Sequence, residues 1–458
     1  MGYHARMSGG ALTADFGACS DAEHAGAQDR YDLAAALRVV RGLETSAARA
    51  AVFDEIKAKN ALYRMVDAIY SGAGPLQPLA LLAYMVKSVV SVGPRMEVRA
   101  QAVSISNFDN EHRAIERVAE LIPNVRLSRL TLSRRHMFSP GPMREGLRIL
   151  LSAWRTWPFL SRLARSYSFM PAARIASALA YYMLFVRTLA DHRSVNAAIV
   201  PSNYSPEAIG LAAAAHRTGR RVVYINHAPV PANGPLMPPV LADCAIFYGD
   251  AIRRTYESRS RCVAEVALIG QPWVSRRMEW RDEIGTVGIF LTAGTKTEAV
   301  VELVSSIRAT HPDARILIRN HPVALLKTDF SELAARYDML TVTIGNPLDE
   351  EIAACDLIIC GNSGVAMNAA SGGRPVAYID GLDKSLFDYN GFIESGLICH
   401  VKRWSAGVYS QLKDFYERRE WRAIMRSYDA SYEADAQMLK RAAAEIVNRY
   451  VAASPATA

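Results

Sequence analysis

The sequence predicts an α/β protein made of two tandem Rossmann-like, doubly wound domains with extra helices at both ends. The chain has 458 residues, of which 50% are hydrophobic, so it can build more than one buried core. Short apolar runs of strand length alternate with helical segments, which is typical of a parallel sheet. This alternation stops near residue 280 and starts again with TVGIFL at residues 286–291. A second domain therefore follows the first.

The domain boundaries are predicted from these breaks. Residues 1–30 contain many Gly and Ala residues but no apolar run, so we expect a loose leader and not a signal peptide. Residues 31–280 are expected to form the first Rossmann-like domain, which would bind the acceptor of a transfer reaction. Residues 281–400 are expected to form the second, nucleotide-binding domain. Residues 401–458 are expected to add C-terminal helices.

The elements of the first domain follow from residue spacing. Apolar residues at helical spacing predict helices from Tyr31 to Lys59 and from Pro75 to Val92. Pro206 stands at a favoured first helical position and Gly219 at a favoured end, so a helix is expected between them. Continuous apolar runs predict strands at Arg95–Ser106, Val125–Leu132, Asn196–Pro201, Arg221–Asn226, Cys244–Tyr248 and Val263–Ile269.

The second domain repeats the same alternation. Strands are predicted at Thr286–Leu291, Ala314–Arg319, Leu340–Ile344, Asp356–Cys360 and Pro375–Ile379. The intervening helices are predicted at Glu298–Thr310, Asp349–Cys355 and Val365–Ser371. Because each strand is followed by a helix and a short loop, this sheet is expected to be parallel as well.

An arginine-rich segment, residues 126–193, interrupts the first domain, and residues 133–193 of it are expected to form a helical insertion. It holds twelve arginines against only Glu145 and Asp191, and aromatic residues are interspersed among them. Basic amphipathic helices with aromatic residues are typical of membrane surfaces and of sites for acidic partners. Ordinary helices with arginines toward water are the alternative. No nucleic-acid-binding motif accompanies the charge, so a nucleic-acid partner is not expected.

The remaining composition indicates the compartment. The net charge is +8, and the six cysteines are scattered without any C-x-x-C pair. A disulfide framework or a structural zinc site is therefore not expected, and no metal site is predicted. We expect a cytoplasmic protein, peripheral on the inner face of the cytoplasmic membrane.

Two loops of the second domain follow predicted strands, at the edge where open α/β sheets bind ligands. Arg319-Asn320-His321-Pro322 offers a histidine that can donate to a phosphate oxygen. Gly361-Asn362-Ser363-Gly364 offers small residues and a hydroxyl, which suit a phosphate at a helix start. The alternatives are a capped loop with a solvated histidine and a tight turn with a helix cap.

Two further loops complete the candidate site. Residues 292–297 carry Gly294 and Thr295 without the spacing of a Walker A motif, and we expect them near the donor's phosphates. His227 follows a first-domain strand and is a candidate general base for an acceptor hydroxyl. Asp109, beside Glu111 and His112, is the rival base. The alternative for His227 is a core or capping histidine.

These motifs resemble a known family. ARILIRNHPV at residues 314–323 and ACDLIICGNSGVAMNAASGGRPVAYI at residues 354–379 resemble the donor-binding domain of GT-B glycosyltransferases. The likeness is to the bacterial surface-polysaccharide group with a His-Pro motif, which includes polysialyltransferases, capsule Kdo transferases and CDP-glycerol glycerophosphotransferases. RTGRRVVYINHAPV at 217–230 and VALIGQPW at 266–273 resemble the glycerophosphotransferases' first domain and linker strand. The resemblance covers roughly Val195 to Asp380.

The resemblance implies roles for three residues. In that group, the histidine of His-Pro and the later serine bind the phosphate of a cytidine nucleotide, which carries over to His321 and Ser363. The first-domain histidine has the role of base, which carries over to His227. Ala228 stands where those enzymes have glycine.

The function expected from these residues is an inverting, metal-independent transferase. It would move a sugar or a polyol phosphate from a nucleotide-activated donor to a surface glycan or lipid-linked acceptor. The donor, a CMP-sugar or CDP-polyol, is a substrate, and no cofactor is expected. Two alternatives stay open: a UDP-sugar epimerase or hydrolase on the same fold, and a catalytically silent scaffold at the membrane.

Overall fold

The structure is a computed structural model that describes residues 32–452 except for residues 73, 235, 293, 322–327 and 384–386. The predicted leader, residues 1–30, lies outside the described residues. The described strands form two separate sheets that follow one another along the chain.

In the described part of the chain, seven strands form the first sheet. They are β1 (Val92–Gly93), β2 (Ala102–Ser106), β3 (Leu127–Leu132), β4 (Ala197–Val200), β5 (Arg221–Ile225), β6 (Val240–Phe247) and β7 (Cys262–Leu268). Their spatial order is β1-β3-β2-β4-β5-β6-β7. Neighbours are parallel except β1 and β3. The order reverses between β2 and β4, so a crevice opens there at the carboxyl edge of the sheet.

Helices cover both faces of this sheet, and for this reason its central strands β2 and β4 are buried at every position. Ala197 and Ile199 of β4 pack into one apolar cluster, while Ala198 and Val200 pack into the other. The helices of the first half are α1 (Leu33–Glu44), α2 (Ala47–Lys59), α3 (Ala61–Ser71), α4 (Leu76–Val90), α5 (Asp109–Leu121), α6 (Pro140–Leu151), α7 (Ala153–Ser166), α8 (Phe169–Asp191), α9 (Pro206–Arg217) and α10 (Asp250–Arg259).

The single helix expected from Tyr31 to Lys59 is two helices in the structure. Thr45 ends α1, and Ser46 begins α2 because its hydroxyl accepts a hydrogen bond from the Arg49 backbone N–H at 3.4 Å. Serine is a favoured helix-capping residue, so the break has a local cause in the sequence.

One long apolar helix, α8, lies in the core of the first half. By length and composition it is the one helix among the described residues that could cross a membrane, but 67% of its most apolar window is buried. It packs against α9, α4 and α1. Burial of this kind is typical of the core helix of a globular domain.

Within the described residues, six parallel strands form the second sheet, in the order β10-β9-β8-β11-β12-β13. The strands are β8 (Thr286–Phe290), β9 (Arg315–Arg319), β10 (Leu340–Thr343), β11 (Leu357–Cys360), β12 (Val376–Ile379) and β13 (Cys399–Val401). The order reverses between β8 and β11, which gives this sheet its own crevice. The helices between these strands are α11 (Thr297–Thr310), α12 (Ser331–Arg336), α13 (Leu348–Ala354) and α14 (Val365–Ser371).

The C-terminal segment returns to the first domain. It contains α15 (Val408–Tyr416), α16 (Arg419–Tyr428) and α17 (Ala436–Val451). Ala443, Val447 and Val451 of α17 are buried in the apolar cluster between the first sheet and α5. The last helix therefore completes the first domain's core, which the sequence alone did not predict.

A buried carboxylate joins the linker, the second domain and the C-terminal segment. Asp429 is fully buried and accepts hydrogen bonds from the Gln271 backbone N–H at 2.9 Å and the Ser371 hydroxyl at 2.6 Å. The hydroxyls of Ser275 and Ser431 donate to the same carboxylate. These contacts fix the relative position of the two halves.

Candidate active site

Two buried glutamates lie at the crevice of the first sheet, one on each side of the strand reversal. Glu111 belongs to the first turn of α5, which follows β2, and Glu207 to the first turn of α9, which follows β4. Only 2% of Glu111 and 3% of Glu207 is exposed. Buried carboxyls at a ligand-binding crevice are candidates for a functional role.

Glu111 is held by the loop that follows β2. Its Oε2 accepts the backbone N–H of Asn107 at 2.7 Å and of Phe108 at 3.3 Å. Burial raises the pKa of Glu111, and these two donors oppose the rise. Asp109, the rival base expected from the sequence, is exposed in the same helical turn. The structure thus buries Glu111, two residues after Asp109, and leaves Asp109 exposed.

Glu207 has an unpaired carboxylate oxygen. Its Oε1 is buried and has no hydrogen-bond partner among the described residues. Burial raises the pKa of Glu207, the positive charge of Arg174 lowers it, and the nearby charge of Glu111 raises it further. The Arg174 side chain is fixed in position by a third carboxylate, because its Nε donates a hydrogen bond to Glu44 Oε1 at 3.0 Å. A partly buried arginine therefore partially balances two buried carboxylates.

Tyr204 connects this acidic group to the candidate base. Burial is the main cause that raises the pKa of Tyr204, and the charge of Glu111 adds to it. The hydroxyl therefore stays protonated near neutral pH and can donate a hydrogen bond. The Tyr204 ring lies beside the His227 imidazole, with 6.3 Å between the ring centroids.

His227 follows β5 with one of its ring nitrogens already engaged. Its Nδ1 lies within hydrogen-bond distance of the Pro201 carbonyl oxygen, which can only accept. Nδ1 therefore carries the proton, and Nε2 keeps its lone pair. Burial lowers the pKa of His227, while the bond to Pro201 opposes the shift. The imidazole is thus neutral near pH 7, in the tautomer that a general base requires.

A carboxylate that the sequence analysis missed organises the crevice of the second sheet. Asp383 accepts the Thr292 hydroxyl at 2.5 Å, the Thr295 hydroxyl at 3.3 Å and the Asn362 backbone N–H at 2.5 Å. It therefore joins the loop after β8 to the loop after β11. A side chain at Gly361 would collide with this carboxylate, which explains the glycine.

The residues of the 292–297 loop mainly hold one another. The Gly294 backbone N–H donates to the Thr292 hydroxyl oxygen at 3.2 Å, and the Thr292 backbone N–H donates to the Thr295 hydroxyl oxygen at 2.8 Å. These bonds fix the loop's shape where it follows β8, at the carboxyl edge of the second sheet.

Asn362 and Ser363 make mostly structural contacts in the loop after β11. The Asn362 amide donates to the Tyr378 hydroxyl at 3.2 Å and accepts the Tyr389 backbone N–H at 2.7 Å. The Ser363 hydroxyl accepts the Val365 backbone N–H at 3.2 Å. The Asn362 backbone N–H donates to Asp383.

The two carboxyl edges approach each other. A side-chain carbon at Gly364 would lie 2.8 Å from Pro229 Cγ, two residues after His227. Nearby, the Asn233 backbone N–H donates to the Tyr389 carbonyl oxygen at 3.0 Å. Because the loop after β5 contacts the loop after β11, the two Rossmann-like domains face each other across a cleft. This is the GT-B architecture predicted from the sequence.

His321 follows β9, next to an asparagine that is bonded to Thr328. The Asn320 amide donates to the Thr328 carbonyl oxygen at 2.7 Å and accepts the Thr328 N–H at 3.1 Å. Burial lowers the pKa of His321. Arg319 forms an ion pair with the buried Glu351, so its nearest charge partner is a protein carboxylate. Pro322 lies outside the described residues.

Replacing Asp383 with asparagine tests this assembly of loops. We expect nucleotide affinity to fall by about tenfold and stability by about 1–3 kcal/mol, because three donors lose a charged acceptor. Titration calorimetry and thermal unfolding measure the two effects. Asp380→Asn is the matched control, since Asp380 also follows β12 but pairs with His400 at 2.8 Å. Unchanged nucleotide binding by the Asp383 variant would contradict the assignment.

The residues that sequence reasoning missed share one property. Asp383 and Glu207 stand beside predicted strand ends, but neither belongs to a recognised motif. A carboxylate after a buried strand was a usable signal in both cases. Within the described residues, no group of three or more His, Cys, Asp or Glu side chains could hold a metal ion.

Comparisons with known proteins give structural likeness only. No family model matches the chain, and no curated protein is similar to it in sequence. The UDP-GlcNAc 2-epimerase from Neisseria meningitidis is 10% identical with a TM-score of 0.48, covering 77% of this chain and 99% of its own. The wall teichoic acid polymerase TagF is 10% identical with a TM-score of 0.43, covering 89% and 99%. The calicheamicin glycosyltransferase CalG4 is 10% identical with a TM-score of 0.44, covering 77% and 99%. At these values the likeness does not identify an activity.

Proposed function

We propose that this protein is an inverting, metal-independent glycosyltransferase of GT-B architecture. It moves a sugar or a polyol phosphate from a CMP- or CDP-linked donor to a bacterial surface polysaccharide or lipid-linked acceptor. It acts on the inner face of the cytoplasmic membrane. The proposal rests on the cleft residues and on the sequence resemblance to the His-Pro group.

The observation that carries the proposal is the state of His227. Its Nδ1 donates to the Pro201 carbonyl, burial lowers its pKa, and its loop contacts the second domain at Gly364. A neutral imidazole with a free Nε2 in an interdomain cleft is suited to take the proton of an acceptor hydroxyl. Asp109 is exposed and Tyr204 stays protonated, so His227 is the better candidate for the base.

The reaction assigned to this site is a single displacement. As His227 Nε2 takes the hydroxyl proton, the acceptor oxygen bonds to the donor's anomeric carbon, or to phosphorus for a polyol phosphate. The bond from that atom to the nucleotide's phosphate oxygen breaks, and the nucleotide leaves with the electron pair. His321 and Ser363 would bind the phosphate whose charge grows during this step. Gly294 and Thr295, also expected to bind it, would shape the loop beside it, since the Gly294 N–H donates to Thr292 and the Thr295 hydroxyl donates to Asp383.

A thermal-shift panel with CMP, CDP, UMP, UDP and GDP tests the nucleotide class. We expect a cytidine nucleotide to raise the melting temperature by several degrees, since ligand at a hundredfold excess over Kd adds about 2.7 kcal/mol. His321→Ala is expected to abolish the shift. His112→Ala, an exposed histidine of the first domain, is the control that should keep it.

The other possible results of the nucleotide panel would each favour one of the alternative functions. A shift with UDP alone would move the donor to UDP-sugars and favour an epimerase or hydrolase, which turns over its donor without an acceptor. No shift with any nucleotide would overturn the transferase and favour a silent scaffold.

A further inference from the structure

An exposed apolar face runs along α6 and α7 of the arginine-rich segment. Phe138, Leu151 and Trp154 are between 69% and 86% exposed. The other large apolar residues exposed on this face are Met143, Leu147, Leu150 and Trp157. The spacing 143, 147 and 150 puts three of these side chains in line along consecutive turns of α6, and Trp154 follows on the first turn of α7.

The exposed apolar face is separate from the buried apolar face by which α6 and α7 pack into the protein. Ile149 of α6 and Phe159, Leu160 and Leu163 of α7 are buried in the core, and α6 approaches α4 closely at Gly146. A surface helix of a soluble domain needs only one apolar face. A second, solvent-facing apolar face marks an interaction site.

Unpaired arginines accompany the face. Arg134, Arg135, Arg144, Arg155 and Arg165 are exposed, and none has an ion-pair partner in the part of the chain that the structure describes. Arg155 lies over the Trp154 ring at 4.7 Å. By contrast, Arg148 and Arg187 share Glu145. Five free positive charges beside exposed tryptophans complement a negatively charged surface that has an apolar interior.

A second set of exposed apolar residues adjoins the end of α7. Leu62, Met65 and Ile69 lie on one side of α3, and Leu76 and Leu79 on the first turn of α4. The Tyr70 hydroxyl at the end of α3 donates to the Tyr167 carbonyl oxygen at 3.1 Å, which holds α3 against α7. The apolar surface therefore extends beyond the arginine-rich segment itself.

We infer that this face inserts into the surface of an anionic lipid bilayer. Trp154, Trp157 and the leucines would lie among the acyl chains near the headgroups, and the five arginines would bind lipid phosphates. β3 runs parallel to β2, so Leu132 ends at the sheet edge that carries the crevice, and Phe138 and α6 follow directly. The bilayer would thus lie beside the cleft. The inference rests on the membrane location proposed above and names the face that would provide it, but it does not depend on the proposed reaction.

Vesicle co-sedimentation with the full chain tests the inference. Vesicles of phosphatidylcholine with about 30% phosphatidylglycerol are compared with pure phosphatidylcholine. We expect strong, salt-sensitive binding to the anionic vesicles only. Replacing Arg134, Arg135, Arg144 and Arg155 with alanine should weaken binding by about a hundredfold or more, since each arginine contributes about fivefold. Leu151→Ser with Trp154→Ser should weaken it by about tenfold or more.

Matched control variants distinguish a role of this face in vesicle binding from a general loss of positive charge or of exposed apolar surface. Alanine at Arg315, Arg336, Arg419 and Arg441 removes the same charge from exposed positions elsewhere. Serine at Val98 and Met438 removes exposed apolar groups elsewhere. Both controls should bind vesicles like the wild type, and all variants should keep the wild-type melting temperature.

Three results would overturn the inference: no vesicle binding by the wild type, equal binding to neutral vesicles, or wild-type binding by the four-arginine variant. A concentration-dependent dimer that Leu151→Ser with Trp154→Ser dissociates would instead assign the face to a second copy of the chain. The nucleotide panel is unaffected by these variants, so failure here is distinct from failure of the proposed transferase.

Discussion

Replacing His227 with glutamine is expected to lower kcat by about two to four orders of magnitude, which is the usual contribution of a general base. The imidazole is engaged at Nδ1 by the Pro201 carbonyl, so the variant loses the Nε2 lone pair that would accept the proton. Nucleotide binding should be retained, because the expected phosphate ligands lie in the other domain. Steady-state transfer kinetics, with the nucleotide thermal shift measured alongside, check both statements.

The pH dependence of the wild type follows from the same residue. A base acts in its neutral form, and burial lowers the pKa of His227 below its ordinary value of 6.5. The rate should therefore be constant through neutral pH and fall only as the pH drops below 6.5. The His227→Gln variant should lack this acid limb in its kcat/KM profile.

His192 supplies the matched control. Its Nδ1 also lies against a backbone carbonyl, that of Thr188 at 2.8 Å, but it precedes β4 and so lies at the opposite edge of the sheet. His192→Gln should transfer at the wild-type rate. Wild-type transfer by His227→Gln would remove His227 from the mechanism and make Asp109 the residue to test.

Replacing Asp429 with alanine is expected to have the largest effect on stability, about 3 kcal/mol or more. The carboxylate is fully buried, and the variant leaves the Gln271 N–H and the Ser371 hydroxyl without their acceptor. Because these donors belong to the linker and to the second domain, the two halves should also lose their coupling. Urea unfolding followed by circular dichroism should then show two transitions for the variant, and one is expected for the wild type.

The control for this prediction is Asp414→Ala. Asp414 is exposed on α15, and an exposed substitution of this kind is expected to change the stability by less than about 0.5 kcal/mol. A single, wild-type-like transition for Asp429→Ala would show that other contacts hold the halves together.

Most strands were predictable from the sequence because a parallel sheet is covered on both faces. AVSIS, AAIV, LIIC and VAYI are buried at every position, and each ends at a polar or glycine-containing loop. The exceptions are β13, whose three residues Cys399–Val401 are too short to give an apolar run, and β1, whose two residues Val92–Gly93 follow the run that predicts a helix up to Val92. Local composition predicts an element only when the element is long enough to show a period.

The candidate site was predictable in part. The loops that carry His227, Gly294 and Ser363 lie at the crevice edges as expected from strand ends. The role of each residue within the loops was not visible, because hydrogen bonds depend on residues far away in the chain. Asn362 illustrates this: its side chain holds Tyr389 and Tyr378, and its N–H binds Asp383.

By itself, the sequence determined the alternation of strands and helices, the two tandem Rossmann-like domains and the position of the loops at the strand ends. These depend on spacing and composition over a few residues. Only the tertiary structure decided that Asp383 joins the loops after β8 and β11, that Asp429 joins the two halves and that α17 completes the first core. Each of these features depends on contacts between segments far apart in the chain. The free energy of burying a charge or an apolar face is set by the residues that pack against it, and these residues are brought there only by the fold.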